Sequence, residues 1–139
     1  MSNGFYNVPI AVNEPVKAYA PGSSERTELL AEYKRMNNTT VDIPMYIGHK
    51  QVFTNDKRNL TPPHEHKHVI GTSNYGGEQE VRDAIDAAMA VREKWVNISW
   101  EHRASIFLKA ADLLAGPFRA KMNAATMLAQ SKNVMQAEI

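Results

Sequence analysis

"EQEVRDAIDAAMAVREKWVNISWEHRASIFLKAADLLAGPFR", residues 78–119, decides how this 139-residue chain is read. Val81, Ala84, Ile85, Ala88, Met89 and Trp95 recur at intervals close to multiples of three and four, which puts them on one face of an amphipathic helix. Ser99 is placed to cap a second helix, with Ile106, Phe107, Ala110, Leu113 and Leu114 inward. Gly116-Pro117 ends that helix, as a glycine just past the last turn followed by proline should.

On the C-terminal side, a third helix is expected from about Pro117 to Leu128, then a break at Gln130–Asn133. "NVMQAEI" opens a fourth helix, with Asn133 and Gln136 at the spacing of a reciprocal cap. That helix has barely two turns before Ile139, too few to persist in water without tertiary support. The expectation is an opening segment of a longer protein.

Toward the N-terminus, Gly71–Gly77 reads as a turn-rich connection and "HVIG" as a strand. Residues 55–63 are polar, end in Pro62-Pro63, and read as a loop. Met45–Ile47 and Val52-Phe53 flank Gly48-His49, which predicts a hairpin. Ser23 or Ser24 caps a helix with Leu29, Leu30, Tyr33 and Met36 on its apolar stripe. Residues 1–20, with Pro9 and Pro15, read as an extended arm, leaving 21–139 as one unit.

The composition fits a globular chain, 43% hydrophobic and 22% charged. A net charge of +1 gives no long-range pull toward nucleic acid or an anionic membrane. No apolar run approaches the ~20 residues of a membrane span. The absence of cysteine excludes disulfides, thiolate metal sites and cysteine nucleophiles within these residues. No signal or transit peptide is evident, and a bacterial cytoplasm is the expected location.

Four candidate sites could carry chemistry. His64, His66 and His68 would share one side of a strand, where neighbours lie ~6.6 Å apart and two can share a zinc ion. A third ligand has no matching spacing elsewhere, so no metal site is expected. Gly71-x4-Gly76 resembles half a phosphate loop, but Gly77 and Glu78 stand where lysine and a hydroxyl residue are required. Glu101 and His102 fit a solvated helix start. Glu138, close after Lys132 and Asn133, fits a helix-start carboxylate on physical grounds alone.

Several stretches together carry a resemblance: "EPVKAYAPGSSERTELLAEY", "IPMYIGHKQVFT", "REKWVNISWEHRASIFLKAADLLAGPFR" and "NVMQAEI". They resemble the N-terminal part of the 1-pyrroline-5-carboxylate dehydrogenase family, within the aldehyde dehydrogenase superfamily. The resemblance implies an α/β parent with a doubly wound cofactor domain. This segment would supply a mostly α portion with a β-hairpin and one further strand. It implies NAD as the parent's cofactor and a small aldehyde, glutamate γ-semialdehyde, as its substrate. It also implies the remainder of the enzyme as partner and a homo-oligomeric parent. The catalytic cysteine, the oxyanion asparagine and the dinucleotide site lie outside these residues, so the chain alone is expected to be inactive. Glu138 matches the family carboxylate that contacts the substrate's amino group. Ser131 stands where the family usually has glycine, which raises the question of a positive φ there. A rival reading is a small helical module that binds a protein partner through the stripe of helix 78–98 or through the unfinished C-terminal helix.

Overall fold

The computed structural model describes Asn7 and residues 10–139. The first part of the predicted arm, Pro9 included, lies outside the described residues. From Ile10 to Ala20 the chain carries no helix or strand.

Five helices and five short strands follow. They are α1 (Ser24–Asn37), β1 (Val41–Ile43), β2 (Met45–Ile47), β3 (Lys50–Val52), β4 (Lys57–Leu60), β5 (Gly71–Asn74), α2 (Glu78–Asn97), α3 (Trp100–Ala115), α4 (Arg119–Gln130) and α5 (Val134–Glu138). α1 and α3 start where their serine caps predict, whereas α4 starts at Arg119, two residues after Pro117, without a side-chain cap. Ser23 Oγ accepts from the Arg26 amide at 3.3 Å, and Ser99 Oγ from the His102 amide at 3.4 Å. At the head of α2 the Glu80 carboxylate accepts from Gly77 N–H at 2.7 Å, a cap without a side chain at the cap position.

β2 and β3 form the expected hairpin, with Met45 opposite Val52 and Ile47 opposite Lys50. Gly48 takes φ +61 in its turn, a conformation few other residues adopt without strain. The remaining strands differ from the sequence reading. "HVIG" is not a strand, and the strand lies one step later, over the "GTSN" expected to be a turn. The polar stretch 55–63 contains β4, antiparallel to β5, and β1 runs parallel to β5 on its other side. β5 is therefore the middle strand of a three-stranded sheet. Gly71 permits this closeness, since a Cβ there would lie 2.5 Å from the Val41 carbonyl oxygen. Buried Asn74 completes the sheet by donating to Asp42 Oδ1 and the Ile43 carbonyl while accepting from the Thr54 amide.

The core lies between the arm, α1 and α4. Tyr19, Leu29 and Ala124 are buried together, with Tyr33, Met36, Met127 and Val134 packed against them. α2 and α3 do not share it. Their predicted inward residues are half or more exposed at several positions, with Met89 at 60% and Phe107 at 67%. No residue of either helix is buried. The stripes exist as the periodicity requires, but the main packing partner is β2 for α2 and α4 for α3, with Arg103 Nη1 of α3 also donating to the Trp95 and Val96 carbonyls at the end of α2. No described helix is long and apolar enough to cross a membrane.

Candidate functional site

Glu138 lies at the end of α5, where the reciprocal cap predicted at its start is formed. Asn133 Oδ1 accepts from the Gln136 amide at 2.9 Å, and Gln136 Oε1 accepts from the Asn133 amide at 3.0 Å. The chain reverses between α4 and α5 through Ser131, whose φ of 54 lies in the left-handed region. The reversal brings Glu138 back beside the first two turns of α4.

Arg119 and Asn123 stand four residues apart on α4 and so project from one face. Both reach the same carboxylate. Arg119 forms a two-pronged ion pair with it, through Nη2 to Oε1 and through Nε to Oε2. Asn123 Nδ2 donates to Oε2 at 2.7 Å and to the Tyr19 hydroxyl oxygen at 2.9 Å. Tyr19 Oη in turn donates to Oε2 at 2.8 Å, and the Lys17 amide donates to Oε1 at 2.7 Å. A second Arg119 contact, Nη2 to the Pro15 carbonyl at 2.7 Å, ties in the arm further upstream.

The Glu138 side chain is fully enclosed, with 0% exposed, and Arg119 is 10% exposed. An enclosed carboxylate is tolerated only when paired and hydrogen-bonded. Here burial pushes the Glu138 pKa upward. The hydrogen bonds from Arg119, the Lys17 amide, Tyr19 and Asn123 outweigh it and lower the pKa from 4.5 to about 2. The Tyr19 phenol moves the other way, raised first by burial and then by the neighbouring carboxylate, so it stays protonated and donates. The result is a tightly oriented carboxylate that is ionised at neutral pH.

The other candidates are dispersed. Two successive turns hold the histidine run, with Glu65 N–H donating to Pro62 O and His68 N–H to Glu65 O, so it is not a strand and has no common side. Pro62-Pro63 lack the amides a strand would use there. His64 Nδ1 lies 2.7 Å from Ser131 Oγ, and His68 Nε2 donates to the Asn37 carbonyl at 2.7 Å. Among the described residues no group of three or more His, Asp or Glu is arranged around a metal ion. The glycine stretch before α2 does not fit a dinucleotide's pyrophosphate. Gly71 is locked into the sheet, and Glu80 occupies the Gly77 amide with a negative charge. His102 lies in the first turn of α3, where its amide serves the Ser99 cap.

Residues 53–139 match the model of the aldehyde dehydrogenase family. The chain belongs to the aldehyde dehydrogenase family. It is similar to delta-1-pyrroline-5-carboxylate dehydrogenase from Agaricus bisporus, 40% identical over 135 residues, covering 96% of this chain and 25% of that protein. The mitochondrial delta-1-pyrroline-5-carboxylate dehydrogenase of Bos taurus is 42% identical over 127 residues, covering 91% and 23% respectively. The crystal structure of the Mycobacterium tuberculosis delta-pyrroline-5-carboxylate dehydrogenase bound with NAD aligns with a TM-score of 0.95 and 40% identity. That alignment spans 99% of this chain and 26% of that one. The chain thus spans about a quarter of the length of these family members, and it is homologous to their N-terminal quarter.

Arg119, Asn123 and Tyr19 were not singled out as site residues by the sequence reading. The available signal was the pair of polar residues at i and i+4 on the α4 face that also carries Ala124 and Leu128. Polar groups on an inward face require a partner.

Proposed function

We propose that the chain is the opening quarter of an NAD-dependent enzyme that oxidises glutamate γ-semialdehyde to glutamate, the reaction implied by its resemblance to the 1-pyrroline-5-carboxylate dehydrogenase family. The observation that carries this reading is the 40% identity, at a TM-score of 0.95, to a delta-pyrroline-5-carboxylate dehydrogenase over 99% of the chain. The cofactor, the nucleophile and the oxyanion site belong to the remaining three-quarters, since this segment contains no cysteine and its glycine stretch does not fit a dinucleotide. The exposed stripes of α2 and α3 are the surfaces that remainder would cover. A homo-oligomeric parent in a bacterial cytoplasm completes the proposal.

Within the substrate site this chain supplies Glu138. Its charge suits the ammonium of an amino-bearing aldehyde, through a charge-assisted hydrogen bond. Oε2 already accepts from Arg119, Asn123 and Tyr19, and Oε1 from Arg119 and the Lys17 amide, so an ammonium must share Oε1 or replace the Lys17 amide there, with Asn123 and Tyr19 left in place on Oε2. The test is NADH formation by the full-length protein supplied with the semialdehyde and NAD⁺. Turnover supports the reading and its absence overturns it, while the 139-residue chain is expected to give none. The exposed α2 stripe also favours a second reading, a helical module for a protein partner. A full-length protein without dehydrogenase activity, in which that stripe stays exposed, would favour it.

A further inference from the structure

We infer that Arg119 and Asn123, with Tyr19 from the arm, are positioning residues that fix the Glu138 carboxylate and so set the preference for an amino-bearing aldehyde. This rests on the reading of Glu138 as the amine contact. Arg119 fixes the plane of the carboxylate by engaging both of its oxygens, as a planar guanidinium does. Asn123 fixes the rotation of the group by donating at once to Oε2 and to the Tyr19 hydroxyl. Tyr19 is 5% exposed and packed with Leu29 and Ala124, so its ring cannot swing without disturbing the core. Its backbone is held at φ 49, and its carbonyl accepts from Arg26 Nη1 at 3.3 Å. The arm is therefore part of the apparatus that aims one carboxylate. Discrimination at a charged contact depends on placement to a fraction of an ångström, so loosening these donors weakens recognition of the amine without touching the aldehyde end.

The test compares full-length wild type, Asn123→Leu, Tyr19→Phe and Glu138→Gln on glutamate γ-semialdehyde and on an aldehyde of equal length lacking the amino group. Tyr19→Phe keeps the ring, so it serves if Asn123→Leu fails to fold. The expected result is a drop of ~10-fold in the kcat/KM preference for the amino-bearing substrate in Asn123→Leu and Tyr19→Phe, carried by KM. Equal losses on both substrates mean a purely structural role and overturn the inference. A preference lost in Glu138→Gln but intact in both other variants also overturns it, while leaving the amine contact standing. Unchanged preference in Glu138→Gln removes the amine contact, and the inference falls with it.

Discussion

Helices α4 and α2 show similar amphipathic patterns in sequence and opposite fates in the structure. α4 has Arg119, Asn123, Ala124 and Leu128 buried, whereas α2 has no buried residue along its twenty. α2 has the cleaner apolar stripe, yet α4 is the enclosed helix and its inward face includes two polar side chains. Periodicity states which face of a helix seeks cover. It does not state what provides the cover, and here the arm and α1 provide it for α4 only.

The strongest way to break this contrast is Glu138→Ala. It leaves enclosed Arg119 without the carboxylate it is paired with, and a loss of ~3–5 kcal/mol is expected. Because the Lys17 amide donates to Glu138, hydrogen exchange at Lys17 should accelerate in the variant while exchange in α2 stays as it was. Equal acceleration in both regions would mean the two halves are not separable. Leu29→Ala comes next. Leu29 is fully buried, and a loss of roughly 2–5 kcal/mol is expected from the cavity left behind. Its measure is the urea midpoint of the chain.

The same cluster predicts an acid-side dependence. Glu138 titrates at about 2 in the folded chain, below its ordinary 4.5, so folding favours the ionised form. Its contribution is fully present above the ordinary value and declines as pH falls from about 4.5 through about 2. Stability measured across that range should fall less steeply in Glu138→Gln than in the wild type. Parallel curves would remove the carboxylate from the acid response.

The helices and the reciprocal cap of α5 were legible in the sequence because they rest on local rules: Ser23, Ser99, Asn133 with Gln136, and Gly116-Pro117. The three-stranded sheet was not. "KRNL" and "GTSN" are polar and short, and they become strands only by pairing across gaps that no local pattern reveals. β1 reaches β5 thirty residues later, with Val41 opposite Gly71. The candidate site divides in the same way. Glu138 was named through a family resemblance, but its partners at Lys17, Tyr19, Arg119 and Asn123 meet only after the chain has folded back on itself. The positive φ suspected at Ser131 is present, and His64 is the feature no spacing rule could supply.

Two smaller effects sharpen the comparison. Ser131→Gly relieves a left-handed serine, worth ~1–2 kcal/mol, but forfeits the exposed bond to His64, worth ~0.5–1 kcal/mol, and adds the freedom of glycine in the unfolded chain, worth ~0.4–1 kcal/mol. Their near-cancellation should leave the melting temperature of Ser131→Gly within a few degrees of the wild type. His64→Ala, which loses only the bond, should lower it slightly. In α2, Met89→Ala is expected to change the stability of the 139-residue chain by no more than ~0.5 kcal/mol, because its side chain is already exposed.

Hydrogen–deuterium exchange, run side by side on the 139-residue chain and the full-length protein, tests the central contrast most directly. In the isolated chain, α4 and α5 should exchange slowly and α2 and α3 quickly, because few buried contacts hold the latter pair. In the full-length protein all four should be protected. Protection of α2 and α3 in the isolated chain equal to that of α4, or fast exchange of α2 and α3 in the full-length protein, would contradict the proposal that further parts of a longer protein cover them.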